Sequence, residues 1–184
     1  MRFWVNKRNS LYSSFKEHLG CRGQYGETQD SKAPHKDCNF LNVRTRTCAE
    51  LIAEFGRPTY LKIDIEGMDM VCLNSLKDVK LEERPLYISM ENVWPQCLDT
   101  LTDLGYDSFK VVDQLNVSWK RPIEAKGGSG PWGEDAVDYK HGMLWSTKEE
   151  VLRRINVMPR WKIWRELNMS IWYDVHGKRN TNSS

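Results

Sequence analysis

One short stretch constrains the fold of this chain more than any other, because an apolar run there stops on two carboxylates and a glycine. Residues 60–65 are rich in β-forming side chains, and Asp64, Glu66 and Gly67 mark the end of the run. Apolar residues then recur at helical spacing through residues 68–79. A strand that ends in acids and leads into a helix predicts an α/β sheet with chemistry at its carboxyl edge.

The residues on both sides of this stretch also alternate between strand and helix patterns. Residues 47–50 form a capping box for a short helix, and residues 86–90 form a second strand that ends on another acid, Glu91. A helix closed by Gly105 and a third strand over residues 109–112 follow. This alternation predicts right-handed parallel crossovers, with flanking helices covering a mostly parallel sheet.

Length and patterning predict a single domain over residues 1–184, since 40% hydrophobic residues suffice for one core. Its regular part is expected over residues 44–112, followed by a loop-rich insert at 113–145 and a helical tail at 146–184. Residues 16–39 show no periodicity and are predicted to form a long loop.

A dinucleotide-binding pattern occurs in the insert, where residues 128–133 satisfy G-x-G-x-x-G. No strand pattern precedes it, Pro131 lacks an amide for a phosphate, and Glu134 and Asp135 would repel one. This loop is therefore not predicted to bind a nucleotide.

Five cysteines are scattered through the chain without a C-x-x-C pair. Cys48, Cys72 and Cys97 fall within helical patterns, which predicts buried thiols rather than zinc ligands or a disulfide framework. A bridge between Cys21 and Cys38 remains open if the protein enters a secretory lumen. Glycosylation would be possible there at three sequons: Asn116, Asn168 and Asn182.

Neither a membrane span nor a compartment is indicated by the sequence. No apolar run reaches roughly 18 residues, and the N-terminus lacks a signal-peptide core, so the default compartment is the cytoplasm. Basic ends flank an acidic middle, but no recognition motif accompanies them. Nucleic acid is therefore not an expected partner.

The central segment resembles a known family. Residues 62–69 read K-I-D-I-E-G-M-D and are similar to the K-I-D-x-E-G-x-E segment of FkbM-type S-adenosylmethionine-dependent methyltransferases. Residues 83–91 resemble the following strand of that family, and residues 104–110 its helix-to-strand junction. Residues 129–135 and 172–176 resemble an S-G-P-F-G-E-D loop and a W-x-D-x-H ending found in one branch.

The resemblance implies a class I methyltransferase (Rossmann-like) sheet in which Asp64 and Glu91 end successive strands. It also implies S-adenosylmethionine as the cofactor and a hydroxyl of a sugar or another small molecule as the acceptor. Nothing before Tyr60 resembles the family's glycine-rich cofactor half. The chain is therefore expected to be an incomplete, C-terminal portion of such a domain, whose sheet a second copy or a completing chain would extend.

Four residues are candidates for catalysis: Asp64, Glu66, Glu91 and His176. Asp64 is the first, because it closes its strand over the expected crevice, where it would position the acceptor or bind the cofactor together with Gly67. A divalent cation held by Asp64 and Glu91 is an alternative, although no dedicated metal-ligand set is predicted. For Glu66 and Asp69 the alternative is that they complement the helix dipole.

His176 has two interpretations. It follows Asp174 by two residues, and a nearby carboxylate would orient its ring as a base. Alternatively, it is a solvated surface residue near the end of the chain.

A non-enzymatic role also remains open. Trp119, Trp132 and Trp145 would form a carbohydrate-binding surface in such a module. The other alternative is a partner-dependent subunit that completes its sheet with another chain.

Overall fold

The computed structural model describes residues 1–7, 10, 13–21, 38–91, 96–113, 145–157 and 173–180. Its strands are β1 (Arg2–Asn6), β2 (Cys38–Asn42), β3 (Tyr60–Ile63), β4 (Tyr87–Glu91), β5 (Ser108–Asp113) and β6 (Tyr173–Lys178). Its helices are α1 (Glu17–Gly20), α2 (Cys48–Phe55), α3 (Asp69–Ser75), α4 (Gln96–Asp103) and α5 (Lys148–Val157). Two short 3-10 turns, Leu76–Asp78 and Leu81–Glu83, connect α3 to β4.

Four of these strands form the main sheet in the order β3-β4-β6-β5. β3 and β4 are parallel, whereas β6 is antiparallel to both β4 and β5. The fold is therefore mixed α/β with a mixed sheet, and the expectation of mostly parallel pairing is wrong for two of the three strand pairs. β3, β4 and β5 run in the same direction, but β6 separates β4 from β5.

The last described strand corrects the prediction of a helical tail. α5 occupies the start of that segment, and Thr147 caps it, with its hydroxyl accepting a hydrogen bond from the Glu150 amide at 3.3 Å. Residues 173–178, however, form β6. Polar and small or apolar residues alternate there, and Val175 faces the core, which fits the two-residue period of a strand.

The core lies between the main sheet and the helices that follow β3 and β4. Apolar residues of the four strands alternate onto this face: Ile63, Ile88, Met90, Val175, Phe109 and Val111. α3 and α4 cover them with Leu73, Leu98 and Leu101, which are fully buried. Helices on one face leave the opposite face of the sheet to the polar residues of the same strands.

The capping box before β3 is confirmed. The Thr47 hydroxyl accepts from the Glu50 amide at 3.1 Å, and the Glu50 carboxylate accepts from the Thr47 amide at 2.6 Å. Of the apolar residues in α2, Ile52 is buried, whereas Leu51 and Phe55 are 41% and 74% exposed. α2 therefore contributes little to the core.

The N-terminal part contains more structure than the predicted long loop. β1 and β2 form a separate antiparallel pair, so the end of the 16–39 segment is strand, and α1 occupies its beginning. Trp4 and Ser14 exchange two main-chain hydrogen bonds, and a Cβ on Gly20 would lie 2.6 Å from the Cβ of Trp4. This close approach fixes α1 against β1.

Four of the five cysteines form disulfides, which corrects the prediction of buried thiols for two of them. Cys48 and Cys72 join α2 to α3, and the bridge between Cys21 and Cys38, left open by the sequence, is present. The partners of the first pair lie in different helices, so their proximity depends on helix packing. Cys97 is a buried free thiol, as predicted.

Breaking the bridge between α2 and α3 is expected to destabilise the protein. Cys48→Ala combined with Cys72→Ala should lower the free energy of unfolding by about 2–4 kcal/mol, because the unfolded chain regains the freedom of the closed loop. Denaturant unfolding under non-reducing conditions measures the change. Adding a reductant should destabilise the parent strongly and the double variant less. Equal stability of the two under non-reducing conditions would contradict this expectation.

Within the described residues, none of the helices combines the length and the apolar character needed to cross a bilayer.

Candidate functional site

Three carboxylates meet at the carboxyl edge of β3 and β4. Asp64 directly follows β3 and Glu91 ends β4, and the two strands are parallel neighbours in the sheet. One carboxylate oxygen each from Asp64, Glu66 and Glu91 lies within 4.8 Å of the other two. We call these three residues the acid rim. The structure thus brings together three of the four predicted catalytic residues.

A tight turn aims Glu66 at this rim. Glu66 has a left-handed backbone conformation with φ of 45°, and the Ser14 hydroxyl donates to its carbonyl oxygen. The buried Asp69 carboxylate accepts from the amides of Ile65 and Gly67, at 3.2 and 3.1 Å. Asp69 therefore stabilises the turn that precedes α3. This role is structural, and the position of Asp69 at the start of the helix had already suggested one.

Gly67 is required by this turn for two reasons. Its φ is 93°, and an added Cβ would lie 2.8 Å from Cδ1 of Leu19. That direction faces α1 rather than open space, so the contribution of Gly67 to the site is the shape of the turn. Its predicted role in cofactor binding stays a prediction.

Gly67→Ala is expected to lower the free energy of unfolding by about 2 kcal/mol. Its φ of 93° is one that side-chain-bearing residues rarely adopt, and Leu19 must also move to admit the new Cβ. Leu19→Ala removes that contact, so Gly67→Ala should cost about 1 kcal/mol less in the Leu19→Ala background than in the parent. Urea unfolding of the two single variants and the double variant tests this, and an equal cost in both backgrounds would contradict a tight contact with α1.

A lysine on β3 accompanies the acid rim. Lys62 pairs with Asp64 at 3.1 Å. Burial, followed by the negative charges of Asp64, Asp174 and Glu66, raises the pKa of Glu91 to about 7, while Lys62 acts against this increase. Glu91 is therefore close to half-protonated at neutral pH, which suits a group that takes up a proton during a reaction.

The same pKa makes Glu91 a source of instability at high pH. The folded protein holds this proton up to about pH 7, whereas the unfolded chain releases it near its usual value of about 4.3. Stability contributed by this proton is thus present at low pH and is lost as the pH rises through 7. Glu91→Gln should stabilise the protein by about 1–2 kcal/mol at pH 8 and little at pH 4, since water screens part of the effect.

Unfolding experiments at the two pH values check this expectation, with Glu82→Gln, the same change at an exposed position, as a matched control. A stabilisation by Glu91→Gln that is the same at pH 4 and pH 8 would mean that the proton on Glu91 is not responsible.

Asp174 belongs to the same edge and was not proposed from the sequence as a rim residue. β6 runs antiparallel, so its beginning lies beside the end of β4, and Asp174 pairs with Glu91 in register. It is fully buried, and its charge contributes to the raised pKa of Glu91. The alternation in residues 173–178 was a signal for a strand, but the helical interpretation of the tail concealed it.

His176 lies away from the acid rim, inside the sheet. It sits opposite Ser89 of β4 and Lys110 of β5, and it is 1% exposed, so the interpretation as a solvated surface residue is wrong. Burial, together with the charges of Lys110 and Lys62, lowers its pKa to about 3. His176 is therefore a neutral imidazole at physiological pH.

The acid rim suits two kinds of chemistry. A carboxylate with a pKa near 7 accepts a proton from a hydroxyl group, and a second, charged carboxylate orients that hydroxyl. Three carboxylate oxygens this close together also match the ligands that Mg²⁺ and Ca²⁺ prefer.

Comparison with models of known protein families, with curated proteins and with solved structures finds no match to this chain.

Several predicted features lie outside the described residues. They are the G-x-G-x-x-G loop at 128–133, the sequons at Asn116, Asn168 and Asn182, and Trp119 and Trp132. Of the predicted carbohydrate-binding surface, only Trp145 is described, and that role stays a prediction.

Proposed function

We propose that this chain is an FkbM-type S-adenosylmethionine-dependent methyltransferase that methylates a hydroxyl of a carbohydrate or another small molecule. The observation that carries the proposal is the acid rim: the residues behind the resemblance, 62–69, form a strand end and turn whose carboxylates meet Glu91 on the adjacent parallel strand. Ligands of open α/β sheets bind at this edge.

The described residues at the rim fit the cofactor in part. The Asp64 side chain is 39% exposed, so its carboxylate is accessible to the hydroxyl and ammonium groups that S-adenosylmethionine carries. Gly67 shapes the turn beside it without presenting an open surface. When bound, the cofactor supplies an electrophilic methyl group on a sulfonium.

In the proposed reaction the protein holds the acceptor hydroxyl in line with that methyl group and removes its proton. Asp64, kept in place by Lys62, accepts a hydrogen bond from the hydroxyl and orients it. Glu91 takes up the proton, since its pKa near 7 keeps a large fraction in the basic form. The bound cofactor would supply the methyl group that the oxygen gains, and its sulfonium sulfur would be the leaving group.

The direct test is calorimetric titration of the full chain with S-adenosylmethionine, followed by transfer of a labelled methyl group to a panel of sugars. We expect micromolar binding. The same protein saturated with a divalent cation should be titrated in parallel, because the rim matches cation ligands. No binding at millimolar cofactor in either form, from protein that melts cooperatively, would overturn the proposal.

A second candidate is a subunit that extends its sheet with another chain. β3 lies at one edge of the main sheet within the described residues, and its end forms half of the acid rim. A strand added there would place its own side chains beside the rim. Light scattering after size-exclusion chromatography tests this, and a monomer that melts cooperatively would contradict it.

A further inference from the structure

Three carboxylates lie in one row across the main sheet, on the face opposite α3 and α4. Ile63 pairs with Met90, so Asp64, the next residue, lies beside Glu91, and Glu91 pairs in register with Asp174 of β6. The two-residue period of strands puts the three acids on the same face. Residues directly opposite each other in an antiparallel pair have Cβ atoms about 4.5–5.5 Å apart, and like charges at that separation repel. Such a row costs free energy unless a proton or a cation compensates it.

Asp174 is the fully buried member of this row. Its exposed fraction is 0%, and its Oδ1 atom is buried and accepts no hydrogen bond. Its negative charge acts on Glu91 and raises the pKa of that carboxyl group, so the two carboxylates are close together. Burying a carboxylate oxygen is costly unless a donor or a cation compensates it. A cation bound between Asp174 and Glu91 would compensate both.

The three oxygens of the acid rim are spaced for a single ion. One oxygen each from Asp64, Glu66 and Glu91 lies within 4.8 Å of the other two. Oxygen ligands lie about 2.3–2.6 Å from Ca²⁺, so two ligands on opposite sides of the ion are about 5 Å apart. The three oxygens can therefore reach one cation together. The Asp64 side chain is 39% exposed, which leaves a route for the ion and room for water ligands.

Lys62 does not outweigh the acids at this edge. Its Nζ atom lies 3.1 Å from Oδ2 of Asp64. Asp64, Asp174 and Glu66 nevertheless each raise the pKa of Glu91 by more than Lys62 lowers it. The edge therefore has a negative potential at Glu91, which attracts a cation.

We propose that the acid rim and Asp174 bind one divalent cation, Ca²⁺ or Mg²⁺, through their carboxylate oxygens, with water completing the coordination. The site does not depend on methyl transfer, since Glu66 and Asp174 have no part in the proposed reaction. In a chain that transfers methyl groups, the bound cation would take the place of Glu91 as the base by lowering the pKa of the acceptor hydroxyl.

Calorimetric titration of the full chain with Ca²⁺ and, separately, with Mg²⁺ at constant ionic strength tests the site. We expect one ion per chain with a Kd of about 0.1–1 mM, the range of weak calcium sites, and the lower Kd identifies the preferred ion. The carboxyl-carbon resonance of Glu91, identified with Glu91→Gln, should shift along the same binding curve. No saturable binding of either ion well above this range, or a Glu91 resonance that does not move, would overturn the proposal.

Variants assign the ligands. Glu66→Gln keeps the size of the side chain and should raise the Kd by a factor of about ten or more, and Asp174→Asn should do the same. Glu82→Gln, the same change as the first at an exposed position in the 3-10 turn before β4, should leave the Kd unchanged. Glu66→Gln decides the test if Asp174→Asn does not fold. An unchanged Kd in a folded ligand variant, or an equal increase in Glu82→Gln, would overturn the site.

Discussion

Asp64→Asn is expected to reduce methyl transfer by a factor of at least 100 while leaving the melting temperature within about 2 °C of the parent, in line with the contribution of a positioned acid–base group. Asparagine keeps the size of the side chain and one carbonyl oxygen but loses the charge that orients the acceptor. Because Asp64 is partly exposed, removing its charge disturbs little of the core.

The matched control is Asp78→Asn, the same change at an exposed position in the 3-10 turn after α3, and it should keep full activity. Asp64→Asn should also lower the pKa of Glu91, since Asp64 is one of the charges that raise it. Nuclear magnetic resonance titration of the Glu91 carboxyl carbon measures that change. Unaltered transfer would remove Asp64 from the reaction, and a large loss of stability would make it structural.

His176 is expected to dominate the loss of stability in acid. The unfolded chain takes up a proton at this position near pH 6.5, whereas the folded protein resists it until about pH 3. Its contribution is therefore complete above pH 6.5 and is lost as the pH falls towards 3. At pH 4.5 the loss amounts to about 2–3 kcal/mol.

His176→Gln removes this titration. The free energy of unfolding of the parent relative to the variant should therefore fall by that amount between pH 7 and pH 4.5. His18→Gln, the same change at an exposed position, is the matched control. Each variant is compared with the parent at the same pH, because the contribution of Glu91 to stability changes in the opposite direction over part of this range. A constant difference between parent and variant would mean that His176 takes up its proton over the same pH range in the folded and the unfolded protein.

The local elements of the fold followed from the sequence because each depends on nearby residues. The capping box at Thr47, the end of β3 just before Asp64 and the glycine after α4 are all set within a few residues along the chain. The convergence of Asp64 and Glu91 was also predictable, since the carboxyl ends of two parallel neighbours share an edge.

The errors concern contacts between residues distant in sequence. The disulfide between Cys48 and Cys72 depends on how α2 meets α3, and no spacing in the sequence encodes that. The secondary structure predicted for residues 173–178 was wrong. A short segment with aromatic residues upstream matches a helical period as readily as a strand period. Its placement between β4 and β5 is decided by the pairing of both neighbours.

The sequence by itself thus determined where strands end in acids and which turn and helix follow, since hydrogen bonding and periodicity act over a few residues. Only the tertiary structure decided that β6 lies inside the sheet, because strand order depends on which edges and faces remain to be paired. That one insertion buries His176 beside Lys110 and places Asp174 beside Glu91. Burial and neighbouring charge, rather than residue type, then set the proton affinities of His176 and Glu91.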